Sequence, residues 1–256
     1  MAPRQNQHTE LLYGIHPVLE ALRAKRRRVE HIYTTPTRHG TRPAEIMEAA
    51  AARKIQVESV TGEQLARLCG QAHHQGIGAR VSPYVWTPLK KALNRQPRTA
   101  GRHFLLALDG LTDPHNLGAL LRTALCAGVD GVLLPARNSC RPTPTVSKIS
   151  AGALEHSSLV SVTNLVRILE KLKKKGFWVA GLDRGGRQTI YASDFNVPLV
   201  LVIGGEDKGV RPLVKSHCDF LVTIPQAGPL NSLNASVAGA VAMYEVLRQR
   251  SGNPFP

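Results

Sequence analysis

Three loops in the second half of this chain collect residue types that bind and orient a small polar ligand. The first is Asp113-Pro114-His115-Asn116-Leu117-Gly118, with Arg122 further on. The second is Gly204-Gly205-Glu206-Asp207-Lys208-Gly209. The third lies within Ile224 to Glu245, IPQAGPLNSLNASVAGAVAMYE. Each follows an apolar run that reads as a buried strand. Paired glycines let a backbone come close to a ligand. Ser232 and Asn234 stand where the third loop becomes helix. Their oxygens either cap free N–H groups or face a ligand together with those groups. Asn116 is placed as a cap if its helix starts there, which puts Arg122 more than one turn along and off the same face. Taken singly, a salt bridge accounts for Arg122 and a tight turn for the second loop. Three such loops at the ends of neighbouring strands make a binding site.

The usual nucleotide fingerprints are absent. No G-x-G-x-x-G opens a helix after the first strand of the second half, and there is no G-x-x-x-x-G-K-[ST]. A standard dinucleotide dehydrogenase or P-loop enzyme is thereby excluded. The 256 residues carry a formal net charge of +15, which points to a polyanion and most often nucleic acid. Aromatic content is 5%, so serial base stacking is not the expected mode. Cys69, Cys126, Cys140 and Cys218 form no C-x-x-C pair and no zinc-finger spacing. They read as reduced, mostly buried thiols, and no metal is expected. No apolar run is long enough to span a membrane. The N-terminus lacks an apolar signal core, so cytoplasm is the expected location.

These loops need elements to position them. Residues 1–10 read as a polar tail. Residues 11–81 read as a small α/β domain: a helix in YGIHPVLEAL, a strand near Val29 to Thr34, a helix from Pro43 to Lys54, the strand IQVESV, a short helix capped by Thr61, and a strand from Gly76 to Val81. The run Lys25-Arg26-Arg27-Arg28 is either a solvated helix end, suited to the helix dipole, or a phosphate contact. Residues 82–101 carry three prolines, four cations and no acid, and read as a semi-rigid linker. From 102 to 250, apolar strands alternate with helices: HFLLALD, DGVLLP, FWVAGLD, VPLVLVIGG and FLVTIP are the strands, and ARNSCRPTPTVSKISAGALEH is a long polar loop. That alternation predicts a doubly wound parallel α/β sheet, with its ligand at the carboxyl ends of the strands.

DPHNLGALLRTA, LVIGGEDKGV and IPQAGPLNSLNASVAGAVAMYE, in this order, resemble the three motifs of the SPOUT superfamily in its SpoU/TrmH branch of RNA 2′-O-ribose methyltransferases. YGIHPVLEAL and HQGI resemble that branch's substrate-binding domain, so the likeness covers nearly the whole chain. It is closest to the bacterial 23S rRNA guanosine-2′-O-methyltransferases. Gln226 stands where Met is usual, Ala235 where Val is usual, and Asp207-Lys208 lies inside the second motif. The resemblance implies a deep trefoil knot in the C-terminal domain and an S-adenosylmethionine pocket lined by Gly204, Gly205, Ile224 and Leu233. It implies catalytic roles for Asn116, Arg122, Glu206, Ser232 and Asn234, a homodimer, and RNA as substrate. A tRNA substrate, or a catalytically silent RNA-binding ribosome-assembly protein on the same scaffold, are the competing expectations.

Overall fold

A computed structural model describes residues 9–36, 41–70, 72–99, 101–206, 208–229 and 232–251. Residues 1–8 of the polar tail and Asp207 of the second motif lie outside them. The chain divides into two compact units. One comprises residues 1–85 with 142–156, the other 86–141 with 157–256.

The elements of the first unit begin with β1 (Glu10–Tyr13), α1 (Ile15–Ala24), β2 (Val29–Thr34), α2 (Thr41–Ala52), β3 (Gln56–Ser59), α3 (Gly62–Cys69) and β4 (Ile77–Val81). Their four-stranded sheet has the order β1-β4-β2-β3. Thr61 closes a full capping box with Gln64 on α3. Leu12, Val18, Leu22, Ile32, Ile46 and Ile77 form the core. Strand β1 starts at Glu10, at the edge of the expected tail, and pairs antiparallel with β4.

The second unit begins with α4 (Leu89–Leu93), β5 (Phe104–Asp109), α5 (Pro114–Cys126) and β6 (Gly131–Pro135). The stretch read as one polar loop contains two short helices, α6 (Pro144–Ile149) and α7 (Ala153–His156), both in the first unit. The second unit resumes with β7 (Leu159–Val162), α8 (Leu165–Lys173), β8 (Trp178–Leu182), β9 (Gln188–Thr189), β10 (Leu199–Gly204), α9 (Pro212–Lys215), β11 (Phe220–Thr223) and α10 (Ala235–Arg250). Its strands stand in the order β7-β6-β5-β10-β8-β11-β9 and pair in parallel. The five expected strands are present, and β7 and β9 are added. The β7 segment LVSV is short and has a serine in its midst, so it carried little periodicity. Within the expected linker, α4 buries Ala92 against Leu105 and Leu133 in the sheet core.

In the basic run Lys25 and Arg28 are exposed at the end of α1, as a solvated helix end would be, but Arg27 is not. Arg27 is 5% exposed. Its Nη1 lies 2.6 Å from Glu10 and its Nε 3.0 Å from Glu155 on α7. Burial pushes the Glu155 carboxyl up, against the opposing pull of Arg27. Arg27 is thus committed to the interior of its unit.

Candidate active site

Strand β5 ends in Asp109, a buried carboxylate at the centre of the sheet. It accepts from the Arg211 backbone N–H at 2.9 Å and from Arg211 Nε at 2.8 Å, and Arg211 Nη2 stands 2.6 Å away. This paired geometry holds the Arg211 guanidinium above its usual pKa range. The loop after β10 is thereby tied back to β5. The Gly205 N–H donates to the Asp109 carbonyl at 2.9 Å, and the Gly209 N–H to the Gly205 carbonyl at 3.0 Å.

Gly204 and Gly205 are required by this packing. A Cβ on Gly204 would overlap the Gly209 and Val210 backbone, and one on Gly205 would meet the Gly110 carbonyl. The close approach they permit is chain against chain.

Asn116 is not the cap of α5. Asp113 is: its carboxylate accepts from His115 N–H at 3.0 Å and Asn116 N–H at 3.2 Å, with Pro114 in the first turn. Proline fixes the helix start two residues earlier than Asn116 alone suggested. The Asn116 side chain is freed for another task, and its amide donates to the Glu206 carboxylate. The first two loops therefore meet.

At the third loop Asn234 caps α10, accepting from the Ser236 and Val237 N–H groups at 2.9 and 3.3 Å. Ser232, two residues earlier, takes no part in that cap.

A cavity of about 520 Å³ opens at the carboxyl ends of β8, β10 and β11. Gly204, Gly205, Glu206, Ile224, Ser232 and Leu233 line it. Asn116 reaches it through Glu206. Asn234 stands beside it as a cap, and Arg122 lies exposed on α5 outside the lining. Leu233 is 42% exposed.

The sequence reading missed one wall, the segment after β8. Asp183 there pairs with Lys215 and accepts from the Gly185 N–H at 3.0 Å. Burial pushes its carboxyl up, but Lys215 and the Gly185 N–H outweigh this and hold it below the usual carboxylate range. The carboxyl-end rule, applied to FWVAGLD as it was to the other strands, would have found it. A smaller cavity of about 490 Å³ adjoins, sharing Arg184, Ile224 and Gln226.

The size of the main cavity suits a ligand of coenzyme dimensions. Its lining offers apolar Ile203, Ile224 and Leu233, backbone polar groups at three strand ends, and the charges of Asp183, Glu206 and Lys215.

Comparison with known proteins agrees with this architecture. Residues 103–244 match the SpoU rRNA methylase family, and residues 11–86 match the family described as RNA 2′-O ribose methyltransferase substrate binding. The 23S rRNA (guanosine-2′-O-)-methyltransferase RlmB of Pseudomonas aeruginosa is 44% identical over 245 residues, covering 94% of this chain and 97% of that protein. An uncharacterized tRNA/rRNA methyltransferase of Synechocystis is 42% identical over 241 residues, and the match spans 63% of that protein's length. Among solved structures, the SpoU methyltransferase AviRb from Streptomyces viridochromogenes, in complex with AdoMet, superposes with a TM-score of 0.80 at 21% identity. That match covers 98% of this chain and 96% of AviRb. A putative TrmH-family RNA methyltransferase from Porphyromonas gingivalis gives 0.73 at 26% identity, over 98% and 92% of the two chains. The chain belongs to the SpoU rRNA methylase family of RNA 2′-O-ribose methyltransferases.

Proposed function

We propose that this protein methylates the ribose 2′-hydroxyl of a guanosine in 23S rRNA, using S-adenosylmethionine. The observation that carries this reading is the meeting of all three loops at one cavity, with Asn116 hydrogen-bonded to Glu206 at its edge. The RlmB likeness along nearly the whole chain supports the rRNA guanosine.

The lining fits the cofactor. Ile224 and Leu233 offer apolar surface for a purine, while Gly204 and Gly205, packed on neighbouring backbone, form part of the wall. Glu206 places one carboxylate in a lining that also carries Asp183, Arg184, Lys208 and Lys215. When bound, S-adenosylmethionine supplies a methyl group on a sulfonium, open to attack by an oxygen nucleophile. A free hydroxyl is a poor nucleophile and must be oriented and relieved of its proton. Asn116 and Glu206 fix each other, and with Ser232 and Asn234 they shape the place where the ribose sits. A guanidinium does not act as a base in proteins. Arg122 instead holds the phosphate beside the target ribose and stabilises the forming alkoxide. The proton leaves to a phosphate oxygen or a water.

Arg122 serves the partner's cavity in a homodimer. Its place outside its own cavity lining favours this, as does an unpartnered stripe on α10 where Val237 is 48% and Tyr244 49% exposed. The C-terminal segment forms a trefoil knot around the cavity. The first unit grips folded rRNA through phosphates, and the protein works in the cytoplasm.

Transfer of tritium from labelled S-adenosylmethionine tests the reading. Label should enter 23S rRNA and not tRNA. Label in tRNA alone would redirect the substrate, and none in either would favour a silent RNA-binding protein.

A further inference from the structure

The end of the methylase sheet opposite the cavity is basic. Where its parallel strands begin, five exposed cations stand in two segments: Arg95, Arg98 and Arg102 ahead of β5, and Lys174 and Lys175 ahead of β8. They follow the strand order. Arg95 Nη1 donates to Ser158 Oγ at 2.8 Å, one residue before β7. The Arg98 N–H donates to Asp130 Oδ1 at 3.0 Å, one residue before β6. Arg102 lies two residues before β5, and the lysines form the turn into β8. From β7 to β8 the sheet runs β7-β6-β5-β10-β8. The row is thus four inter-strand steps long, roughly 19 Å at about 4.8 Å per step.

Two acids at these strand starts are already engaged, while Asp194 in the loop ahead of β10 is exposed. Asp130 accepts from the Phe104 N–H at 2.9 Å and pairs with His103. Asp219 binds Lys173 and the Val179 N–H. The row ends at Trp178, the first residue of β8, which is 51% exposed and backed by Phe220 at 6.3 Å. The loops are braced from within. Arg250, 6% exposed, donates to the carbonyls of Phe195, Arg102, His103 and Val197 and to Thr99 Oγ1.

We propose that this end of the unit is a second RNA-docking surface, separate from the methyl-transfer cavity: the cation row tracks a phosphate backbone and Trp178 stacks one base. The proposal rests on the reading of the chain as an RNA methyltransferase. A line of cations ending in an exposed indole is the arrangement that single-stranded RNA fits, with phosphates on the charges and a base on the ring. It also gives a use to Arg95 and Arg98, two of the four cations of residues 82–101, which the cavity does not use.

The test uses the full chain with Arg98, Arg102, Lys174 and Lys175 all changed to Gln, and a 23S rRNA transcript as probe. KM for the RNA should rise about tenfold or more, with kcat at saturating RNA and cofactor affinity within about twofold. The salt dependence of filter binding should flatten by a log–log slope of about 3, as expected for four lost single-strand phosphate contacts. In a Trp86→Phe background the transcript should quench Trp178 emission, and Trp178→Ala alone should weaken binding severalfold. Unchanged KM and slope, or no quenching, would overturn the proposal. So would phosphatidylglycerol vesicles losing their binding on the four substitutions while RNA binding stands. If the wild type transfers no methyl to any RNA, the catalytic reading falls, and the salt slope still decides the surface.

Discussion

Asn116 and Glu206 lie 90 positions apart in the chain and are hydrogen-bonded in the fold. That contact turns two loops into one site, and it was only partly legible beforehand. The sequence placed both residues at strand ends, but it offered Asn116 as a cap. Proline at the first turn of α5 and Asp113 before it took that role. The glycine pair was read as room for a ligand, whereas Gly204 and Gly205 first make room for backbone. Arg27 was illegible because its partner Glu155 sits on a distant helix. In the proposed reaction Arg122, exposed on α5 and outside the cavity lining, handles phosphate rather than cofactor. Arg122→Lys, which loses the planar fork, should lower kcat by about 10²-fold or more, with the S-adenosylmethionine Kd unchanged. Near-full kcat would remove that role. The thiols also differ among themselves. Burial pushes Cys69 up to about 11 and Cys218 up to about 12. Both should resist alkylation at pH 8, where little thiolate is present. Of the four only Cys140 is nearly fully buried and Cys126 is exposed, contrary to the expectation of mostly buried thiols. Mass spectrometry after brief iodoacetamide treatment reads all of these, and rapid labelling of Cys218 would contradict the packing around it.

At the scale of elements, the long apolar strands were legible because both faces of a parallel sheet are covered. Short β7, two-residue β9 and helices α6 and α7 carried too little pattern to be seen. The small residues of α10 found their reason in packing. A Cβ on Gly239 would run into Leu120 of α5 and Ile203 of β10, so the helix must lie close to both. Helix α5 depends on its cap. Asp113→Ala should cost about 1 kcal/mol in urea unfolding. It should also lower activity, since the first turn of α5 carries Asn116. A variant as stable as the wild type would show that α5 is fixed by packing alone.

For the molecule as a whole, the alternation of strands and helices gave the parallel sheet, and the carboxyl-end rule placed the cavity. Pairwise order within the sheet, and the return of residues 142–156 to the first unit, depend on long-range packing that periodicity does not encode. In the proposed homodimer the exposed α10 stripe is the interface. Tyr244→Asp should shift the protein from dimer to monomer by sedimentation and reduce methyl transfer by more than tenfold, without changing helix content. A wild-type chain that sediments as a monomer and still methylates RNA would refute the shared site. The central claim is methylation at ribose, and it is read most directly by mapping the labelled nucleotide. After reaction of the full chain with 23S rRNA and tritiated S-adenosylmethionine, alkaline hydrolysis should leave the label in one alkali-resistant dinucleotide containing guanosine, because a methylated 2′-oxygen cannot attack the adjacent phosphate. Label released as an ordinary mononucleotide, with the methyl on a base, would contradict the account.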